Sequence, residues 1–392
     1  MGITWRGYGV ATQFPGARRG TLVGYLKGLG VLRACARHID PDALSRWADD
    51  VPRPGAIEIA LPGDEILGML LTGYEPSPVL SPWNRGSGWW GNTTTLDWLR
   101  ESTDVRLSSF RAAAAATTSV LARLSLHEPP STEEKPGVVA ALAAWLPDDA
   151  LDWLNAAVPR GGDGRQFEYN PLFGSGGNDG RYDISVNYLQ AIRYTLEHPD
   201  RSVELLRGAL LETPAQLVPM SLGQWMRDRS PSASPEGAPL PLGNPWELIL
   251  AVEGSLMLAA STSRRLRRPK LPVVAPWVFR STPVGYGGAA HDEDVRCEVW
   301  APCWHDWLGH RHVSEMLAAG DVRTASSVSE MLAAGDVIRT ASFARLRPAA
   351  TGLDVMRAAG DRGLDPGIDS LDRYIVAQRA GQAYSTIPAN SW

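Results

Sequence analysis

Apolar residues at positions 22, 25, 26, 29 and 32 follow the spacing of one helical face and predict a helix over 21–37. Lys27 and Arg33 fall off that face and are expected to be solvated. Residues 56–61 alternate with the period of a short strand. The stretch 64–71 reads as a helix capped by Asp64, and Tyr74-Glu-Pro-Ser-Pro78 stops it. Helical periodicity returns over 104–126 and ends at His127-Glu-Pro-Pro. Two short helices over 138–157 part at Pro147. Residues 186–196 read as an aromatic helix, 202–211 as another, and 246–268 as a long helix, apolar early and basic late. Residues 275–280 and 296–300 read as strands, and 373–378 with 382–387 as a hairpin about Ala380-Gly381. The pattern predicts an α+β fold, predominantly helical, with small antiparallel sheets.

Pro, Ser and Gly crowd residues 229–245, which predicts a linker or mobile loop there. It divides an N-terminal domain, 1–228, from a C-terminal domain, 246–392. Ser314-Glu-Met-Leu-Ala-Ala-Gly-Asp-Val recurs at 329–337. Two short copies do not make a solenoid, so a tandem duplication is the simpler account.

The 392 residues are 44% hydrophobic and 21% charged, the make-up of a folded globular chain. The net charge of −5 excludes a global positive field, so any nucleic-acid contact must be local or shared with partners. Three cysteines cannot build a disulfide framework, and a reduced compartment, the cytoplasm, is expected. No apolar run is long enough to cross a bilayer; Ala112–Ala116 is too short. Fifteen tryptophans exceed what one core of this size needs, so some are expected to serve as stacking or contact surfaces.

Two glycine-rich segments carry the most chemistry: Ser81-Pro-Trp-Asn-Arg-Gly-Ser-Gly-Trp-Trp90 and Asn170-Pro-Leu-Phe-Gly-Ser-Gly-Gly-Asn-Asp-Gly-Arg-Tyr-Asp183. Their glycines allow main-chain N–H groups to converge on an anion. Asn84, Arg85, Ser87 and Trp89 in the first, and Asn178 and Arg181 in the second, combine donors with stacking surfaces. Such a set suits a polyanion with exposed bases. The competing reading has both loops bracing a tryptophan-rich core or gripping a neighbouring subunit. Arg264, Arg265, Arg267, Arg268 and Lys270 form the densest basic cluster and suggest a phosphate track; Arg18 and Arg19 are a weaker instance. A helix C-terminus would account for one or two of those five charges.

Cys297, Cys303, His305, His310 and His312 are zinc-ligand types, but no Cys-x-x-Cys spacing is present and Cys297 sits in a predicted strand. No metal site or cofactor is assigned. Asp163, Asp179 and Asp183 could share a metal; capping a turn and the following helix is the favoured role for Asp179 and Asp183. The phosphate-binding Gly-x-x-x-x-Gly-Lys-Ser/Thr loop and the Gly-x-Ser-x-Gly elbow are both missing.

Gly24-Tyr-Leu-Lys-Gly-Leu-Gly-Val-Leu-Arg33, the two glycine-rich segments, Trp246-Glu-Leu-Ile-Leu-Ala-Val-Glu-Gly254, Glu298-Val-Trp-Ala-Pro-Cys-Trp304, Asp361-Arg-Gly-Leu-Asp365 and Arg379-Ala-Gly-Gln-Ala-Tyr384 keep one order along the chain. In that order they resemble the large-subunit family of type I-G (formerly I-U) CRISPR surveillance complexes. The chain is shorter than usual members, and Arg85 stands where the family more often has a small residue. The resemblance implies a non-catalytic subunit of an RNA-guided DNA-targeting complex that checks the flanking motif and supports the opened strands. It implies guide RNA, target double-stranded DNA, backbone-forming subunits and a recruited helicase-nuclease as partners, with no membrane. The alternatives are a metal-dependent hydrolase of a phosphorylated substrate and a purely architectural subunit.

Overall fold

A computed structural model describes residues 10–48, 55–158, 169–173, 183–220, 225, 241–258, 261–262, 273–275, 278–279, 293–318, 369–379 and 385–389. The predicted fold class holds: helices predominate and every sheet is small and antiparallel.

The fold is organised around α1 (Leu22–His38), started by Thr21, whose hydroxyl accepts from the Gly24 N–H. Before it runs β1 (Thr12–Arg18); after it come β2 (Leu44–Trp47) and β3 (Ala56–Ile59). These strands and β10 (Leu308–Gly309) form a four-stranded sheet in the order β1-β3-β2-β10. The sheet covers one side of α1, where Tyr25 stacks on Trp47 at 5.1 Å. The other side is covered by α9 (Pro245–Ser255). A helix between a sheet and a second helix has no solvated face, and α1 is buried from Leu22 to Ala36.

Lys27 and Arg33 are therefore not solvated: they are 4% and 8% exposed. Each is held by acceptors. Lys27 Nζ donates to the Ala209 carbonyl at 3.1 Å and to Glu247 Oε1 at 2.9 Å. Arg33 donates from Nε to Glu253 Oε2 at 3.1 Å and from Nη2 to Asp152 Oδ2 at 2.8 Å. Periodicity assigned the apolar face correctly, but α9 supplies polar groups to the other one.

Helices α2 (Gly63–Thr72), α3 (Thr94–Glu101), α4 (Ser108–Arg123), α5 (Lys135–Trp145) and α6 (Asp148–Ala157) follow. Asp64 lies inside the first turn of α2, where a negative charge suits the dipole; the cap position is Pro62. Helices α7 (Ile184–Glu197) and α8 (Pro199–Leu211) pack on α9, and β4 (Val218–Pro219) pairs with β5 (Leu242–Gly243).

The long helix expected over 246–268 is corrected: α9 ends at Ser255. Ser255 Oγ donates back to the Val252 carbonyl at 2.6 Å, and Leu256, Met257 and Leu258 wind into tighter turns. A serine that bonds its own backbone beside Gly254 favours such an ending. The chain then enters β6 (Ser261–Thr262).

A second sheet has the order β12-β11-β9-β8-β7-β6. The strand expected over 275–280 is two, β7 (Val273–Ala275) and β8 (Val278–Phe279), paired with each other. The strand over 296–300 is longer, β9 (Glu293–Cys303), and leads through β10 into α10 (His310–Ala318). The expected C-terminal hairpin is present as β11 (Ser370–Arg379) and β12 (Ser385–Ala389). Trp304 joins the sheets: its Nε1 donates to the Ser45 carbonyl at 3.0 Å, and its carbonyl accepts from Trp47 N at 2.8 Å. Tyr25 Oη donates to the Pro302 carbonyl at 2.9 Å. Residues on both sides of 229–245 thus contribute to one buried cluster. Of 229–245, residues 229–240 lie outside the described residues, as does the duplication beyond residue 318.

Candidate nucleic-acid interface

Residues 81–91 form a loop fixed from within. Trp83 is 1% exposed and acts as its anchor. Asn84 N donates to the Ser81 carbonyl at 2.9 Å, and Ser87 N to the Asn84 carbonyl at 3.3 Å. Trp90 Nε1 closes the loop on the Pro82 carbonyl at 2.7 Å. Gly88 has φ +77°, and a Cβ there would stand 3.1 Å from Val186 of α7. Both the backbone conformation and the close approach require glycine.

The loop is fastened to the residue that closes the second glycine-rich segment. Asp183 N donates to the Gly86 carbonyl at 3.1 Å, and Asn84 Nδ2 donates to Asp183 Oδ2 at 3.0 Å. Asp183 is the cap of α7, accepting from Ser185 N at 3.0 Å and Val186 N at 3.4 Å. Burial raises its pKa, and the bonds from Ser185 and Asn84 work in the other direction. At its start the second segment is anchored by Asn170, fully buried, whose Nδ2 donates to the Ala156 carbonyl at 2.9 Å. Two segments distant in sequence therefore meet at Asp183. The residues between, with Asn178, Arg181, Asp163 and Asp179, lie outside the described residues.

The candidates of the first loop divide by environment. Arg85 is exposed and has no hydrogen-bond or ion-pair partner among the described residues. Asn84 is held by Asp183. Ser87 is 2% exposed with its hydroxyl enclosed and unpaired, so it faces the interior. Trp89 is half-buried, its Nε1 enclosed, with the Arg100 guanidinium 5.5 Å from its ring centroid. The loop presents one cation outward and uses its other chemistry inward.

The other basic candidates are placed as follows. Arg18 pairs with Glu212, and Arg19 Nη1 donates to Ser370 Oγ at 3.0 Å. The basic run at 264–270, with Arg264, Arg265, Arg267, Arg268 and Lys270, lies outside the described residues.

The Cys/His cluster is dispersed, with His312 exposed on α10. Cys297 and Cys303 are buried in β9, and burial next to Asp372 pushes the Cys303 thiol to about 12. His305 faces Asp369 at 3.2 Å. His310 lies by Ser314, its imidazole held neutral at about 4 by burial and the nearby Arg33. Among the described residues no group of three His, Cys, Asp or Glu side chains converges on a metal position.

The polar centre that pattern reading missed is Glu253 on α9, 1% exposed. It accepts from Tyr74 Oη at 2.7 Å, Tyr188 Oη at 2.9 Å, Ser77 N at 2.8 Å, Ser77 Oγ at 2.9 Å and Arg33 Nε at 3.1 Å. Arg37 stands 3.8 Å away. The adjacent cavity, bounded by Tyr74, Pro76, Arg106 and Trp246, is about 20 Å³, the size of one water. The network holds helices together and offers no room for a substrate. Its only sequence signal is a lone glutamate in an otherwise apolar run, Leu248-Ile-Leu-Ala-Val-Glu-Gly254.

No helix among the described residues is long and apolar enough to cross a membrane. No protein-family model matches the chain, and no curated protein matches it.

Proposed function

We propose that the chain is a non-catalytic subunit of an RNA-guided DNA-targeting complex, and that it touches nucleic acid through the 81–91 loop. The observation that carries the reading is Arg85: a solvent-facing guanidinium without a partner among the described residues, in a loop whose other polar groups are engaged or enclosed. A guanidinium on a rigid loop loses little entropy on gripping a phosphate or a guanine edge. The order of matching motifs supplies the rest: guide RNA, target duplex, backbone-forming subunits and a helicase-nuclease as partners. The purely architectural role is favoured by one fact, that Asn84 and Ser87 serve the loop itself.

The test is a pair of variants in the assembled complex. Arg85→Ala is expected to leave assembly and guide RNA in place. It should weaken target-duplex binding about tenfold and reduce the slope of log affinity against log salt by roughly 0.9. Asn84→Ala is expected to act differently, lowering the melting temperature because Asp183 loses a buried partner. Substituting Arg264, Arg265, Arg267 and Arg268 together should lower the slope further. Unchanged duplex binding and salt slope in both arginine sets would sink the nucleic-acid reading. Loss of assembly in Arg85→Ala would favour the architectural one.

A further inference from the structure

Helix α5 is at odds with its surroundings. Residues 136–147, Pro-Gly-Val-Val-Ala-Ala-Leu-Ala-Ala-Trp-Leu-Pro, carry no charged side chain. A helix apolar on all sides belongs in an interior. Yet α5 buries only Val138 and Leu142, against α4 and α6. Gly137, Ala140, Ala143, Ala144 and Trp145 are exposed, Trp145 by 57%. The Arg123 guanidinium lies 4.0 Å from the Trp145 ring centroid, so the end of α4 extends the face, and Leu124 beside it is 41% exposed. Among the described residues with described side chains, Trp145 is the one tryptophan classed as exposed; the others are half-buried or buried. Small residues along α5 let another backbone come close, and a large aromatic at its end is the kind of group that anchors an interface.

Charge decides what fits. Between residues 128 and 149 there are five carboxylates and one lysine. Glu128, Glu133 and Glu134 are exposed ahead of α5, and Asp148 is exposed just beyond it, so both ends of the apolar face are acidic. Arg123, the nearest arginine, is drawn onto the Trp145 ring. A second copy of this chain would set one acidic rim against another, which disfavours self-pairing. A helix with an apolar stripe and Lys or Arg at both ends would match on both counts.

We infer that the outer face of α5, with Trp145 and Leu124, is a docking surface for an amphipathic helix of a partner protein flanked at both ends by basic residues. The inference is independent of nucleic-acid binding and goes beyond it, since it names a protein contact on a surface formed by α5 and the end of α4.

The experiment uses the purified full-length chain and two fluorescein-labelled peptides. Both carry the same Leu/Ala amphipathic helix of about 16 residues, roughly 24 Å, long enough to lie along the 11-residue α5 and overhang it at both ends. One is flanked by lysines, the other by glutamates. Fluorescence anisotropy is expected to show the lysine-flanked peptide binding at least about tenfold tighter, with the preference shrinking as salt rises. Ala140→Glu with Ala144→Glu should remove binding while keeping the fold, because glutamate is a good helix former and both sites are solvent-facing. Glu133→Lys, Glu134→Lys and Asp148→Lys together should reverse the preference. Circular dichroism of each variant checks that α5 is intact. Equal binding of the two peptides, binding that survives the alanine substitutions, or no binding of either up to about 100 μM would overturn the inference. So would a concentration-dependent dimer, seen by sedimentation and abolished by Ala144→Glu, since a second copy would then be the occupant.

Discussion

Replacing Glu253 with Ala is expected to lower the unfolding free energy by about 3–5 kcal/mol, the range for breaking a buried ion pair by removing one partner. The substitution leaves Arg33, 8% exposed, without its buried acceptor, and strips Tyr74, Tyr188 and Ser77 of theirs. Against a total stability of about 5–15 kcal/mol this brings the fold near its limit. Glu253→Gln keeps the shape and isolates the charge. Burial pushes the Glu253 pKa up, but the Arg33 and Arg37 guanidiniums, the Ser77 N–H and the Tyr74 hydroxyl outweigh it and hold the carboxyl at about 2. A carboxyl depressed in the folded state contributes stability above its unfolded value, near 4.5, and loses it as pH falls through the folded value near 2. Over that window the contribution amounts to on the order of 3 kcal/mol, at 1.36 kcal/mol per unit. Urea midpoints across pH should therefore show a constant gap between wild type and Glu253→Gln above pH 6, closing below about pH 4.5. Parallel profiles down to pH 2 would contradict the charge network.

Local elements were legible where one side of an element decides its structure. Leu22, Tyr25, Leu26, Leu29 and Leu32 marked α1 because the helix faces a sheet on that side. Pro147 separated α5 from α6, and Ala380-Gly381 fell between β11 and β12. What periodicity misread came from the second partner. Lys27 and Arg33 are buried because α9, more than two hundred residues away in sequence, brings Glu247 and Glu253 to them. Similarly, β2 is only four residues long and is held by pairing with β3 and by Trp304. Alternation over four residues is too brief to register. The helix does not continue past Ser255 as the pattern suggests, because Ser255 bonds its own backbone and Ser261–Thr262 pair with β7.

The loop at 81–91 was legible as a turn, and of its glycines Gly88 and Gly91 take a positive φ while Gly86 does not. Its outward chemistry was not, because donors and acceptors of the same types serve either a ligand or the loop. Asn84 could have faced solvent; the position of Asp183 at the start of α7 turns it inward. Ser87 could have bound a phosphate; Gly88 at φ +77° folds the chain so that the hydroxyl is enclosed. Arg85 is left outside because a guanidinium without an acceptor is costly to bury. Trp153 and Trp225 are deep, and their Nε1 groups reach the Leu80 and Leu172 carbonyls at 2.8 and 2.7 Å.

Glycine-to-alanine substitution is expected to change sign with position. At Gly30 of α1 a Cβ would lie 2.0 Å from the Leu250 carbonyl oxygen, and at Gly254 of α9 it would lie 1.9 Å from the Leu26 carbonyl oxygen. Both obstacles are backbone, so no side chain can swing aside and the helices themselves must separate. Separation also stretches the Arg33–Glu253 bonds, which span the same two helices. Alanine gains about 1 kcal/mol of helix propensity over glycine, and overpacking opposes it by about 1–3 kcal/mol or more. Backbone overlap this deep, coupled to a buried ion pair, puts the net destabilisation at roughly 3 kcal/mol for Gly254→Ala. Gly68 on α2 provides the control, since a Cβ there meets nothing within 4 Å. Gly68→Ala should raise stability by about 0.5–1 kcal/mol. Gly30→Ala and Gly254→Ala together should destabilise by less than the sum, because either one already forces the helices apart. Thermal and urea unfolding of the four variants reads all of this directly. A Gly254→Ala protein as stable as wild type would mean that α1 and α9 do not cross in backbone contact, and the burial of Lys27 and Arg33 would then need another cause.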